Sequence, residues 1–220
     1  LHSFSIIVTS QFGIFFKQLW NVFKTVLWST FFFAWQYIEA NPLKITGDNI
    51  LPGDVILGLP SSGLHTNGYS LARKIFFDIA KCSINDHIDG LENSVGITLL
   101  EPHINYTNHV FKVLEAGINI KGIAHITGGG LVENIPRVLP NNYGAKIKKD
   151  SWPSLPVFNV MQKIGKIEQD EMHRAFNMGI GMVFIVRKDD VSRVKESLED
   201  ISKVYEIGNI DSNCNGVDIS

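Results

Sequence analysis

Short apolar runs alternate along most of this chain with stretches in which apolar positions return every three or four residues, the mark of strands interleaved with helices. Val55 to Leu59, bounded by Gly53-Asp54 and Pro60, reads as a buried strand. Leu71, Ile75 and Ile79 then recur at helical spacing, with Asn67 placed to cap the helix. A polar loop from Lys81 to Gly96 separates it from a second helical pattern through Val110, Val113 and Leu114, which Gly117 ends. Ile123 to Ile126 reads as a strand running into Gly128-Gly129-Gly130 and a short helix limited by Pro136. Tyr143 to Ile147 is a further strand. Pro156 opens a helix lined by Val157, Met161 and Ile164 and closed by Gly165, and a further helix is expected over Glu168 to Phe176. Gly181 to Val186 is the clearest strand. Val191, Val194, Leu198 and Ile201 mark an amphipathic helix before a last strand near Val204 to Ile207. The pattern predicts an α/β (α+β) domain, a mixed β-sheet flanked by helices.

Both ends depart from this pattern. Residues 1–40 crowd aromatic side chains, among them Trp20, Trp28, Phe31, Phe32, Phe33 and Trp35, around only three charges, Lys17, Lys24 and Glu39. A membrane span over Leu19 to Ile38 has the needed length, but Lys24, Asn21 and Gln36 interrupt it. The alternatives are a buried helix or strand pair, or residues foreign to the fold; the expectation is misplaced core and no membrane anchor. Residues 211–220 read as a frayed polar tail, which leaves 41–210 as the folded domain. A first residue of Leu1 in place of Met suggests a fragment.

Composition narrows the function classes. The 220 residues carry 20 basic and 22 acidic side chains, a formal net charge of -2, with signs alternating along the helices, so a nucleic-acid partner is not expected. Cys82 and Cys214 are far apart and form no CxxC pair, which speaks against a disulfide framework or zinc site and for a reducing, cytoplasmic setting. His103, His109, His125 and His173 lack metal-ligand spacing and read as ordinary core or surface residues. Asp48, Asp54, Asp78, Asp86 and Asp89 read as solvated surface, so no metal site is expected.

Three glycine-bearing loops remain as candidate chemistry. Ser61-Ser62-Gly63-Leu64-His65-Thr66-Asn67-Gly68 runs from a strand into a helix, where backbone N–H groups and hydroxyls favour a phosphate or carboxylate; His65 adds a group that titrates near neutrality. The same residues also suit a simple capped turn. Thr127-Gly128-Gly129-Gly130 again joins strand to helix, and its glycines let a backbone approach a ligand. It lacks the Lys-Ser/Thr of a Walker A loop and the spacing of a dinucleotide fingerprint. Arg137 is placed to reach a phosphate or to pair with Glu133. Phe176-Asn177-Met178-Gly179-Ile180-Gly181 forms a turn whose glycines permit close packing and whose Asn177 is able to orient a ligand.

Read together, GDVILGLPSSGLHTNGYSLARKIF (Gly53 to Phe76), AHITGGGLVENIPRVLP (Ala124 to Pro140) and RAFNMGIGMV (Arg174 to Val183) resemble the C-terminal domain of the phosphoribosylformylglycinamidine cyclo-ligases, or AIR synthetases, in order and spacing. Thiamine monophosphate kinase, selenophosphate synthetase and a hydrogenase-maturation protein share that architecture. The resemblance implies ATP-dependent ring closure of formylglycinamidine ribonucleotide in purine synthesis, with Mg2+ as the partner of ATP, and a homodimer. It places substrate or phosphate binding on Ser62, Gly63, His65, Asn67, Gly68, Thr127, Gly128, Gly129, Gly130, Arg137 and Asn177, with His65 as the candidate catalytic group. The alternative is a non-catalytic remnant of the same fold acting as a binding or dimerisation module. Two departures matter: the family's N-terminal ATP domain is absent, so the chain alone is expected to be inactive, and EPHINYTN at Glu101 to Asn108 replaces a PTRIYVK-like string and its basic residues.

Overall fold

A computed structural model describes residues 45–220, which gather into one unit. The aromatic segment and its proposed alternatives lie outside the described residues. Six strands form one sheet: β1 (Val55–Pro60), β2 (Gly122–His125), β3 (Gly144–Ile147), β4 (Ile180–Val186), β5 (Tyr205–Asp211) and β6 (Gly216–Ile219). Their order is β2-β4-β1-β5-β3-β6, and every neighbouring pair is antiparallel except β3 with β6. The mixed sheet flanked by helices is the expected architecture.

Strand periodicity sorts the apolar side chains into two cores. In β4, Val183 and Ile185 face one way, onto Ile56, Ile207, Ala124, Leu131 and Ile135, while Phe184 and Val186 face the other, onto Leu57, Leu59, Val113, Val194 and Leu198. The second face is covered by α3 (Thr107–Glu115) and α7 (Val191–Leu198), whose buried Val191, Val194 and Leu198 keep the expected helical spacing. The first is covered by α4 (Gly130–Asn134) and the 3-10 turn Pro136–Val138. A third core lies away from the sheet: α1 (Tyr69–Arg73), α5 (Pro156–Gly165) and α6 (Gln169–Ala175), with Leu64 and Met178 from two of the loops, enclose Phe76, Phe158, Met172 and Phe176.

Five expectations change. The first helix widens from α1 into a π-helix over Lys74–Ile79, so its buried face is Ala72, Ile75 and Phe76 while Ile79 is exposed. Its N-cap is Gly68 and not Asn67; a Cβ at Gly68 would come within 2.3 Å of the Phe176 ring, so packing selects glycine there. Within the expected polar loop, Val95 and Leu99 sit four apart, enough to fold a short helix, α2 (Val95–Leu99), and bury both. The supposed tail is the edge strand β6: Lys149 N–H donates to Ser220 C=O at 2.8 Å and Ser220 N–H to Ile147 C=O at 3.1 Å. Asp54 is buried, with both carboxylate oxygens 2.7–2.8 Å from the equally buried Lys121 Nζ. No helix among the described residues is long and apolar enough to cross a membrane.

Candidate functional site

The three glycine-bearing loops, more than a hundred residues apart at their extremes, meet at one end of β1, β2 and β4. Strand pairing brings them there: β4 lies between β1 and β2, so the loop after β1, the loop after β2 and the turn before β4 share that end of the sheet. Ser61 N–H donates to Gly179 C=O at 2.8 Å, and Ile126 N–H to Gly181 C=O at 2.9 Å.

Asn177 is the brace. It is fully buried; its Oδ1 accepts from Ser61 Oγ at 2.9 Å and Gly179 N–H at 2.8 Å, and its Nδ2 donates to Gly63 C=O at 2.9 Å. Both acceptor positions and one donor are spent inside the protein. Asn177, expected to contact a ligand, therefore serves the site by holding the first loop. A second asparagine, unremarked in the sequence, does the same for the glycine loop. Asn134 Nδ2 donates to Gly130 C=O at 2.8 Å and Gly128 C=O at 3.1 Å, and its Oδ1 accepts from Thr127 Oγ1 at 3.0 Å. Arg137 lies largely in solvent and donates to Asn134 Oδ1 at 3.1 Å, with Glu133 at 3.9 Å, so it supports the loop from outside. The signal was present in the fixed distance of Asn134 from the glycines, but only the closed turn shows its use.

The glycines divide by what surrounds them. Gly129 caps α4 at φ 93°, and a Cβ at Gly130 would lie 2.0 Å from His173 C=O and 2.7 Å from Phe176 C=O; both positions are demanded by the fold. Gly128 has an ordinary φ, and a Cβ there would meet only Asn67 Oδ1 at 3.8 Å. That opening lies between the first and second loops.

At the same end of the sheet four aromatic rings form a cluster. His65 is 3 % exposed, and its ring is stacked by His103, centroids 4.0 Å apart and 17° from parallel. His103 Nε2 lies 3.2 Å from His125 Nε2, and its Nδ1 lies 3.2 Å from Thr66 Oγ1. Tyr106, buried beside them, donates its hydroxyl to Pro60 C=O at 2.6 Å. Gly181 makes room for this cluster, since a Cβ there would lie 2.1 Å from Tyr106 Oη and 2.7 Å from His65 Cε1. His103 and His125, read from the sequence as ordinary residues, thus join His65. His109 stays a core residue against Tyr106, and His173 sits behind α4.

Hydrogen bonding fixes the His65 tautomer. Ser62 N–H donates to His65 Nε2 at 3.1 Å, so the neutral ring carries its proton on Nδ1. That Nδ1 is buried without a partner among the described residues, and so is Asn67 Nδ2. Two orphaned donors on one loop call for an acceptor supplied from outside. The loop's other flank is a cleft of about 320 Å³ lined by Glu92 and Glu101 with Thr98 and Pro156, whose carboxylates repel an anion.

Burial, then the neighbouring His103 and His125, lowers the His65 pKa to about 4. His125 is lowered too, by burial and then by His103, and burial raises the Tyr106 hydroxyl. A histidine with a folded pKa below its unfolded value of 6.5 binds its proton more tightly when unfolded. Its contribution is intact above pH 6.5 and is lost as the pH falls towards 4. Urea unfolding of the chain should lose stability across that window, with up to about 3 kcal/mol from His65. His65→Asn, whose side chain tolerates the residue's φ of 54°, should flatten the profile; an unchanged slope would remove His65 as its source.

The described residues gather no group of three metal-ligating side chains, so they offer Mg2+ no carboxylate cage.

Comparison with known proteins gives this site a family context. Residues 52–218 match the family model described as AIR synthase related protein, C-terminal domain. The phosphoribosylformylglycinamidine cyclo-ligase of Syntrophus aciditrophicus is 46% identical over 175 residues, 79% of this chain and 50% of that protein. Its counterpart in Alkaliphilus oremlandii is 49% identical over 148 residues, 67% of this chain and 43% of that protein. The chain spans about half the length of the curated relatives it matches. The fold is shared by E. coli HypE, a hydrogenase maturation protein (TM-score 0.53, 14% identity, 81% of this chain and 50% of that one). Thiamine-monophosphate kinase from Stenotrophomonas maltophilia has the same fold (TM-score 0.52, 17% identity, 80% of this chain and 52% of that one).

Proposed function

Because this chain belongs to the AIR synthase related family through that family's C-terminal domain, we propose that it forms one wall of the active site of a phosphoribosylformylglycinamidine cyclo-ligase. The wall binds the phosphate-bearing substrate, formylglycinamidine ribonucleotide. The observation that carries the reading is the pair of buried, unpartnered donors on the first loop, His65 Nδ1–H and Asn67 Nδ2, the second on the side chain that faces the opening at Gly128. An anionic ligand that reaches them relieves the cost of burying them empty.

In this reading ATP, when bound, supplies the phosphoryl group that turns the formyl amide oxygen into a leaving group for an internal nitrogen. The chain's own residues bind and orient. His65, neutral at physiological pH, acts as a hydrogen-bond donor and not as a cation. Asn67 adds a second donor, and Gly128 allows the backbone to approach the ligand. The carboxylates for Mg2+ come from outside the described residues. Family membership is also the ground for placing the protein in the cytoplasm as a homodimer.

Calorimetric titration of the chain with formylglycinamidine ribonucleotide tests the reading. We expect saturable binding that Asn67→Leu weakens roughly tenfold, the loss of one good hydrogen bond to a charged group. The unphosphorylated nucleoside should bind far more weakly. Equal binding of nucleoside and nucleotide, or wild-type affinity in Asn67→Leu, would refute a phosphate site here.

A further inference from the structure

His65 lies on the loop after β1 and His125 at the end of β2, and the side chain that joins them, His103, comes from a third segment, the stretch Glu101 to Asn108 that departs from the family pattern. His103 and His125 are exposed, and His65 is buried beneath the His103 ring. His103 therefore covers one imidazole with its face and meets the other with its edge. The groups facing it are His65, Thr66, Tyr106 and His125.

The contact between His103 Nε2 and His125 Nε2, 3.2 Å long, constrains both rings. Between neutral imidazoles one nitrogen must carry the hydrogen and the other must be bare. If His103 donates, its Nδ1 is bare and accepts from the Thr66 hydroxyl, and His125 carries its own proton on Nδ1. If His125 donates, each of these assignments reverses. Either way His125 Nε2 is occupied, so the atom it offers to anything outside the cluster is Nδ1.

We infer that His103 is a positioning residue that donates from Nε2 to His125, holding that ring in the Nδ1–H tautomer so that it presents a hydrogen-bond donor to the anion bound between the loops. The inference rests on the phosphate reading, which selects between the two arrangements the contact allows; the tautomer is then read in the protein without any ligand. A phosphate oxygen accepts hydrogen bonds and gives none, so the donating tautomer is the one that serves it. Free imidazole favours the opposite form, with the proton on Nε2. With His103 as the donor, it is His103 that keeps the form free imidazole favours and His125 that is held in the other, while the Thr66 hydroxyl fills the bare Nδ1 of His103.

Nitrogen-15 spectra of the histidine-labelled chain, recorded above neutral pH where the rings are uncharged, read this directly. In the wild type, His125 should show a protonated Nδ1 and a bare Nε2. His103→Phe keeps a ring to stack on His65 but has no nitrogen to donate, so His125 should revert to the pattern of free imidazole while the His65 signals stay in place. His103→Gln, whose amide nitrogen can replace Nε2 as donor, should restore the wild-type His125 pattern. Affinity for formylglycinamidine ribonucleotide should fall about tenfold in His103→Phe and recover in His103→Gln. A wild-type His125 protonated on Nε2, a His125 pattern unchanged in His103→Phe, or a His103→Gln variant that behaves like His103→Phe would each overturn the inference. If the tautomers behave as stated and no nucleotide binds, it is the phosphate reading that fails, and the positioning role stands.

Discussion

Lys121→Met should destabilise the chain by about 3–5 kcal/mol, because it leaves a buried carboxylate without its counter-charge. Asp54 and Lys121 are each about 7% exposed at the side chain, and the ammonium lies 2.7 Å from the nearer carboxylate oxygen. The remaining capacity of Asp54 is used on Leu51 N–H at 2.7 Å, which folds the approach to β1. The two residues sit just before β1 and β2, on opposite sides of β4, so the pair ties together the strands that carry the two main loops. Asp54→Leu should cost a similar amount, for then the ammonium is stranded. The double variant, Asp54→Leu with Lys121→Met, should recover much of the loss, since two apolar chains of similar size replace two charges that were costly to desolvate. Urea denaturation of the four proteins gives the coupling. Single variants within about 1 kcal/mol of wild type would mean that water reaches the pair and that it behaves as a surface bridge.

That pair also shows where sequence stops being informative. Asp54 follows Gly53 and precedes an apolar run, a context that reads as a solvated turn; its partner is 67 residues away and is brought close only by strand order. Local periodicity was enough for five of the six strands and for most helices, because each is defined by side chains within one turn or one pleat. It was not enough for the π-helix, where the register of the buried face shifts from Leu71 and Ile79 to Ala72 and Phe76. Nor was it enough for β6, whose alternation rests on Val217 and Ile219 alone. The same division runs through the site. The loops could be picked out as candidates, since glycine, hydroxyls and a helix start lie within a few residues of one another. What the individual residues do could not, because it depends on contacts between loops. Asn177 turned out to be spent on Ser61, Gly63 and Gly179, and His103 and His125 acquired their meaning only when three separate segments closed over His65.

Alanine at two neighbouring glycines separates fold from function most sharply. Gly130→Ala should cost about 3–5 kcal/mol, from an unfavourable left-handed backbone at φ 56° together with the overlap of a Cβ and two carbonyl oxygens. Those oxygens belong to His173 and Phe176 at the end of α6, and Phe176 is itself fully buried, so the neighbours cannot give way by rotating a side chain. Gly128→Ala meets no such obstacle. Its φ is ordinary and its nearest neighbour, Asn67 Oδ1, would be in van der Waals contact at 3.8 Å, so stability should stay within about 0.5 kcal/mol of wild type. The methyl group would nevertheless occupy the opening between the two loops, beside the unpartnered Asn67 amide, where the proposed phosphate has to lie. Affinity for formylglycinamidine ribonucleotide should therefore fall at least about tenfold in Gly128→Ala while the unfolding midpoint is unchanged. Thermal unfolding and calorimetric titration of both variants decide the matter. A Gly128→Ala chain that keeps both its stability and its affinity would show that the opening is not where the anion sits, and it would move the site to the far side of the histidine cluster.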